Sequence, residues 1–174
     1  MFAFICIKPL AFGKVASISK FMKLLTNITL AAVFAATSLF AQDATVLERW
    51  EQDHTQIFDG AEIDLSELQW VVRPLVVFAD TPNDPRFQQQ LGLLMDGLDD
   101  LAERDVIIIT DTDVTAPTEL RTTLRPRGYM MALVGKDGRV ALRKPSPWSV
   151  RELSRSIDKM PLRQQEISDR RLGQ

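Results

Sequence analysis

Two unbroken apolar runs limit what this chain can fold into more than any other feature. Leu75-Val76-Val77-Phe78, inside a strand signal from Trp70 to Ala79, and Val106 to Ile109 both lack the alternation of a strand with one wet face. Continuous runs of this kind belong to strands covered on both sides, as in a parallel sheet. Parallel neighbours need a long crossover. The sequence between the runs supplies one, with Phe87, Leu91, Leu94, Leu98 and Leu101 falling on one helical stripe. Asp84 stands where an N-cap is wanted and Pro85 suits the first helical position. Strand, helix and strand predict a right-handed βαβ unit.

Beyond this unit, Pro117 to Leu124 reads as a shorter helix with Leu120 and Leu124 inward. Met130 to Val134 and Arg139 to Arg143 flank Gly135-Lys136-Asp137-Gly138, a turn signal that predicts an antiparallel hairpin. Ser149 and Glu152 have capping-box spacing and open a final helix with Val150, Leu153 and Ile157 on its apolar face. Pro161 breaks or restarts that helix. The order β-α-β-α-β-β-α, with a parallel first half, an antiparallel hairpin and a closing helix, is the core of the thioredoxin fold, a mixed sheet flanked by helices. We expect that domain over 70–166, after a lead-in segment 42–69 and before a polar tail 167–174. In the lead-in, Val46, Leu47 and Trp50 suggest a short helix, while Leu65 and Leu68 pack ahead of the first strand.

The charges divide the chain. Residues Met1 to Ala41 hold four lysines, no acid and the only cysteine, Cys6, whereas every acidic residue lies at or beyond Asp43. A basic start, an apolar core around Ile28 to Ala36 and a polar chain from Gln42 form a signal-peptide pattern, with cleavage after Ala41. Met22 makes an economical initiator, which would leave Met1 to Phe21 as an over-extended gene start. A membrane anchor is the alternative, but Thr26, Asn27, Thr29, Thr37 and Ser38 interrupt a stretch already short of the roughly 20 apolar residues a span needs. The expected location is the periplasm or outside the cell. Removing the four lysines from the 21 basic residues leaves 17 against 23 acidic, a net charge of −6. That balance argues against nucleic acid, whose phosphates need clustered Lys and Arg.

Three strings carry a family resemblance: Trp70-x-x-Arg73-Pro74-Leu75, Val134-Gly135-Lys136-Asp137-Gly138, and Ile157-Asp158-x-Met160-Pro161-Leu162-Arg163-x-x-Glu166. With them the chain resembles the exported thioredoxin-like family called domain of unknown function 4174, from about Trp70 to Glu166. Leu162 departs from the methionine expected there. The resemblance implies the fold and export but assigns no chemistry, because the family has no established activity.

In a redox-active thioredoxin fold a Cys-x-x-Cys pair opens the first helix, where the helix end lowers the thiol pKa. Here that loop reads Asp80-Thr81-Pro82-Asn83-Asp84-Pro85, and no thiolate can form in it. Thiol oxidoreductase and peroxiredoxin activity are therefore not expected, and no cofactor is implied. Asp80 and Asp84 after the first strand, with Asp111 and Asp113 after the second, could converge at the carboxyl ends of adjacent strands. Clustered oxygens there would suit Mg²⁺ or Ca²⁺. Ordinary turn and cap chemistry explains the same residues. The lone histidine, His54, reads as solvated. Arg73 and Arg163, with Arg170 and Arg171 of the tail, offer either an anion or partner surface or a solvated face. Trp70, Trp148 and Met160 either anchor a partner or close the core. The leading expectation is a non-catalytic binding or adaptor module with an unidentified protein partner. The alternative is a metal-assisted enzyme using the aspartate edge.

Overall fold

The computed structural model describes residues 44–116 and 118–173. The expected signal segment and its cleavage site lie outside them. The compact unit begins at Ala44, so the lead-in is part of the domain.

Five strands form one mixed sheet in the order β1-β3-β2-β4-β5: β1 (Ile57–Asp59), β2 (Arg73–Phe78), β3 (Val106–Asp111), β4 (Met130–Val134) and β5 (Val140–Lys144). β2 and β3 pair in parallel, with Leu75 opposite Ile108. β2 and β4 pair antiparallel, with Leu75 opposite Leu133. All six residues of β2 are buried, which is the burial its continuous apolar run requires. The topology is thioredoxin-like, with one addition: β1 runs parallel to β3 at the sheet edge. No periodicity marks this strand in the sequence, because three residues are too few to show one.

Helices cover both faces. α1 (Val46–Gln52) and α2 (Leu65–Leu68) lie in the lead-in. The crossover splits into α3 (Pro85–Met95) and α4 (Leu98–Ala102), interrupted at Asp96 and Gly97. Its expected stripe is nonetheless the packed one, as Phe87, Leu94 and Leu101 are buried and Leu91 and Leu98 partly so. Asp84 caps α3 by accepting a 2.8 Å hydrogen bond from the Arg86 amide. α5 (Glu119–Leu124) is capped by Thr118. α6 (Val150–Ile157) carries the Ser149–Glu152 capping box in full. α7 (Pro161–Leu172) begins at Pro161, so the supposed tail is helical to Leu172.

The sheet separates two cores. Leu75, Val77, Ile108 and Leu133 face α3, α4 and α6. Val76, Phe78, Ile107 and Ile109 face Trp50, Leu120 and Leu124. This strict alternation along the strands is what a double-sided sheet imposes. No helix among the described residues is long and apolar enough to cross a membrane.

Candidate functional site

The three resemblance strings meet at one place, the amino end of the parallel strands. β2 starts there with Arg73, β3 starts there just after Asp105, and β4, running the other way, ends there and leads into Lys136. Pro74 lies one residue before the β2–β4 ladder begins, where a missing N–H is tolerated. Gly138 completes the hairpin turn with φ 76°, a conformation that favours glycine.

Arg73 has 1% of its surface exposed, and a buried guanidinium must be matched. It donates to the Arg104 carbonyl at 2.8 Å and to Glu166 Oε1 at 2.7 Å, and lies 3.7 Å from Asp105 Oδ2. Lys136 Nζ bridges the same two carboxylates, at 2.7 Å from Asp105 and 3.2 Å from Glu166. On α7, Arg163 turns inward onto Glu166 Oε2 at 3.3 Å and Asp158 Oδ1 at 3.6 Å. Asp158, at the end of α6, takes a bidentate clamp from Arg104 at 2.9 and 3.0 Å. Burial works to raise the Glu166 pKa, but the hydrogen bonds and charges of Arg73 and Lys136 outweigh it and hold the carboxyl below its ordinary value. The Arg104 hydrogen bonds hold Asp158 low in the same way.

These contacts correct one expectation. Arg73 and Arg163 belong neither to an anion surface nor to a solvated face, since each is buried against carboxylates; only Arg170 and Arg171 of that set are exposed. Met160 is half-buried against Leu153 and Ile157. Arg104 and Asp105 complete the network unannounced by the sequence, although a basic-acidic pair between helix and strand is the signal that could have marked them.

Beside the network lie two adjoining depressions that share Lys136 and Leu162. One, of about 230 Å³, is walled by Met160, Pro161 and Ala141. The other, of about 240 Å³, is walled by Trp70, Gln165 and Asp169. Trp70 is 65% exposed and sits at φ 67°, in the left-handed region that a bulky side chain rarely occupies. Its N–H donates to the Lys136 carbonyl at 2.7 Å. Asp105 is also left-handed, at φ 52°, and its carboxylate receives the Lys136 ammonium. One lysine therefore contacts both residues, through its carbonyl at Trp70 and its ammonium at Asp105. Of the three large apolar residues considered as anchors, Trp148 packs against the core and Met160 is half-buried, leaving Trp70 as the one presented to solvent.

The four aspartates at the opposite edge do not converge. Asp111 is buried, with one oxygen taken by Arg121 Nε at 2.7 Å and the other by Thr118 Oγ1 at 2.6 Å. Asp84 is held low in pKa by its hydrogen bonds to Arg86, and Asp113 by its own to Thr115. Asp80 is exposed. Among the described residues no three His, Cys, Asp or Glu side chains are grouped so as to hold a metal ion. His54 is exposed, with its ring edge-on to Trp50 at 4.2 Å between centroids.

Strand order and helix placement define the class: a thioredoxin-like α/β domain. Within that class the chain belongs to the family described as domain of unknown function (DUF4174), which matches residues 64–166. Glu166, the last matched residue, is the carboxylate that joins the three strings. No curated protein matches the chain. Among solved structures, the chain is similar to the reduced 2-Cys peroxiredoxin of Plasmodium vivax, with 14% identity, a TM-score of 0.46, and coverage of 57% of this chain and 85% of that one.

Proposed function

We propose that this protein is an exported, non-catalytic binding module that engages a polypeptide partner at the amino end of its sheet, with Trp70 and Leu162 as anchors. The observation that carries this reading is Trp70 itself: a large apolar side chain left in solvent on a left-handed backbone position. Strain of this kind persists only where surrounding contacts enforce it, and it gathers at functional positions. Exposed tryptophan beside a concave surface is a common anchor of protein interfaces. Each cation of the ion-pair network already faces a carboxylate, so the network serves as a rigid mount for that surface. The loop Asp80–Pro85 contains no thiol, which supports a role without redox turnover. The basic start and apolar stretch before Gln42 support export.

The test places a photo-crosslinking residue at Val71, which is 42% exposed beside Trp70, and a second at exposed Met95 as control. In the native envelope the first should give a discrete adduct that Trp70→Ala abolishes, and the control should give none. Equal labelling at both positions, or an adduct indifferent to Trp70→Ala, would contradict the reading. Turnover of a disulfide or peroxide substrate by the purified protein would contradict its non-catalytic part.

A further inference from the structure

At the other end of the sheet, a cavity of about 300 Å³ is lined by Arg125, Arg127, Arg143 and Lys144, with Tyr129 and Met130 among its walls. It lies between the α5–β4 connection and the end of β5. Because Met130 pairs with Phe78 at the end of β2, this is the carboxyl edge of the parallel strands, where open α/β sheets bind ligands.

Four cations line the cavity and no carboxylate does. Among the described residues none of the four has an acidic partner within ion-pair distance, whereas Arg73, Arg104, Arg121, Lys136 and Arg163 all do. Of the acids nearby, Glu152 feels Lys144 but is bound to Ser149 as the α6 capping box, Asp84 is paired with Arg86, and Asp80, whose carboxylate lies near Gly128, is not within ion-pair distance of any of the four. In a chain of net charge −2, this is a local reversal of sign, and a cleft walled by one sign concentrates counter-ions.

The fold also holds these cations in place. Arg143 donates to the Leu124 carbonyl at the end of α5, which leaves the rest of its guanidinium available. Lys144 Nζ lies 3.9 Å from the centre of the Trp148 ring. Arg125 and Gly128 both take left-handed backbone conformations, at φ 49° and 63°, so the loop that carries Arg127 is bent back on itself. Tyr129 is buried behind the cavity, donating its hydroxyl to Gln90 at 3.2 Å, with the Arg86 guanidinium 5.3 Å from its ring centre. Burial pushes its pKa up to about 12, so it adds no negative charge.

We propose that this cavity binds a phosphate- or sulfate-type oxyanion carried by a small organic molecule. Guanidinium forks match the geometry of tetrahedral oxyanions, and the volume is at the small end of ligand sites. Met130 and Pro145 offer an apolar wall to the organic part. The inference does not depend on the Trp70 surface.

Calorimetric titration of the whole protein tests it, with inorganic phosphate, sulfate, phenyl phosphate and acetate as probes. Phosphate, sulfate and phenyl phosphate should bind with one-to-one saturation, phenyl phosphate the tightest and acetate the weakest, and added chloride should weaken all of them. Arg127→Gln and Arg143→Gln should each weaken phosphate binding by about tenfold or more, the scale of a charge-assisted hydrogen bond. Arg127 makes no side-chain hydrogen bond or ion pair among the described residues, so its replacement leaves the fold intact. Trp70→Ala and Arg151→Gln should leave phosphate affinity unchanged. No saturable binding of any tetrahedral probe, or binding that Arg127→Gln leaves intact, would overturn the proposal.

Discussion

The two ends of the sheet use the same residue types in opposite ways. At the amino end, Arg73, Lys136 and Arg163 are drawn inside and met by Asp105, Asp158 and Glu166. At the carboxyl end, Arg125, Arg127, Arg143 and Lys144 gather around a cavity with no such partners. Charges that are buried and paired become part of the fold, and removing one leaves its partner uncompensated. Charges that converge without acidic partners keep charge and donors available to a ligand. The domain thus has a structural end, which also mounts an exposed tryptophan, and an end open to small anions.

The largest expected effect breaks the structural end. Arg73→Ala removes a fully buried guanidinium from two carboxylates and a carbonyl, and should destabilise the domain by about 3 to 5 kcal/mol. Denaturant unfolding checks this. A loss below about 1 kcal/mol would place the network outside the folding core.

Acid should loosen the same end. Glu166 and Asp158 are held below their ordinary values of 4.5 and 3.8. A carboxyl whose folded-state pKa is depressed stabilises fully above its unfolded value, and that contribution is lost as pH falls through the folded one. Stability should therefore hold steady near neutrality and decline below about pH 4.5. Glu166→Gln should lower stability at neutral pH and flatten the acid decline. Unfolding curves at a series of pH values read both, and an unchanged slope in the variant would separate Glu166 from the decline.

Met160 sharpens the picture at the rim. Half-buried at the cavity wall, it should cost about 1 kcal/mol on Met160→Ala, less than the 2 to 5 kcal/mol typical of a fully buried methionine. A cost in that higher range would move Met160 into the core and shrink the open surface beside Trp70.

Trp70 should behave unlike any structural residue. Asparagine accepts left-handed backbone far better than tryptophan, so Trp70→Asn should raise stability slightly, by up to about 1 kcal/mol. A clear loss on thermal unfolding would mean that the indole supports the fold, which would remove the main observation behind the proposed partner surface.

Much of the fold was legible because local signals agreed with one another. The apolar runs fixed β2 and β3, the Leu stripe fixed the crossover, and the Asp84 and Ser149 caps set helix starts that the structure reproduces. β1 was hidden because a three-residue edge strand owes its existence to β3 beside it. The interruption at Asp96 and Gly97 was hidden too, since the apolar spacing runs through it unbroken. The signature residues were visible as strings, but their meeting was not. Arg73 and Glu166 are 93 positions apart, and only the sheet brings them together. The aspartate edge reads differently in the structure: Asp84, Asp111 and Asp113 each bond a residue close in sequence, and the four carboxylates are not grouped. The basic cavity was equally unreadable, because Arg125 and Arg127 come beside Arg143 and Lys144 only once the β4–β5 hairpin has closed.

The comparison between the ends reduces to one measurement, the unfolding free energy of the Arg125→Gln/Arg127→Gln double variant set against Arg73→Ala under the same conditions. Unpaired cations around a shared cavity repel one another, so the double variant should match the parent within about 0.5 kcal/mol or exceed it, while Arg73→Ala loses several kcal/mol. Comparable losses in the two would contradict the division of the sheet into a structural end and an open one.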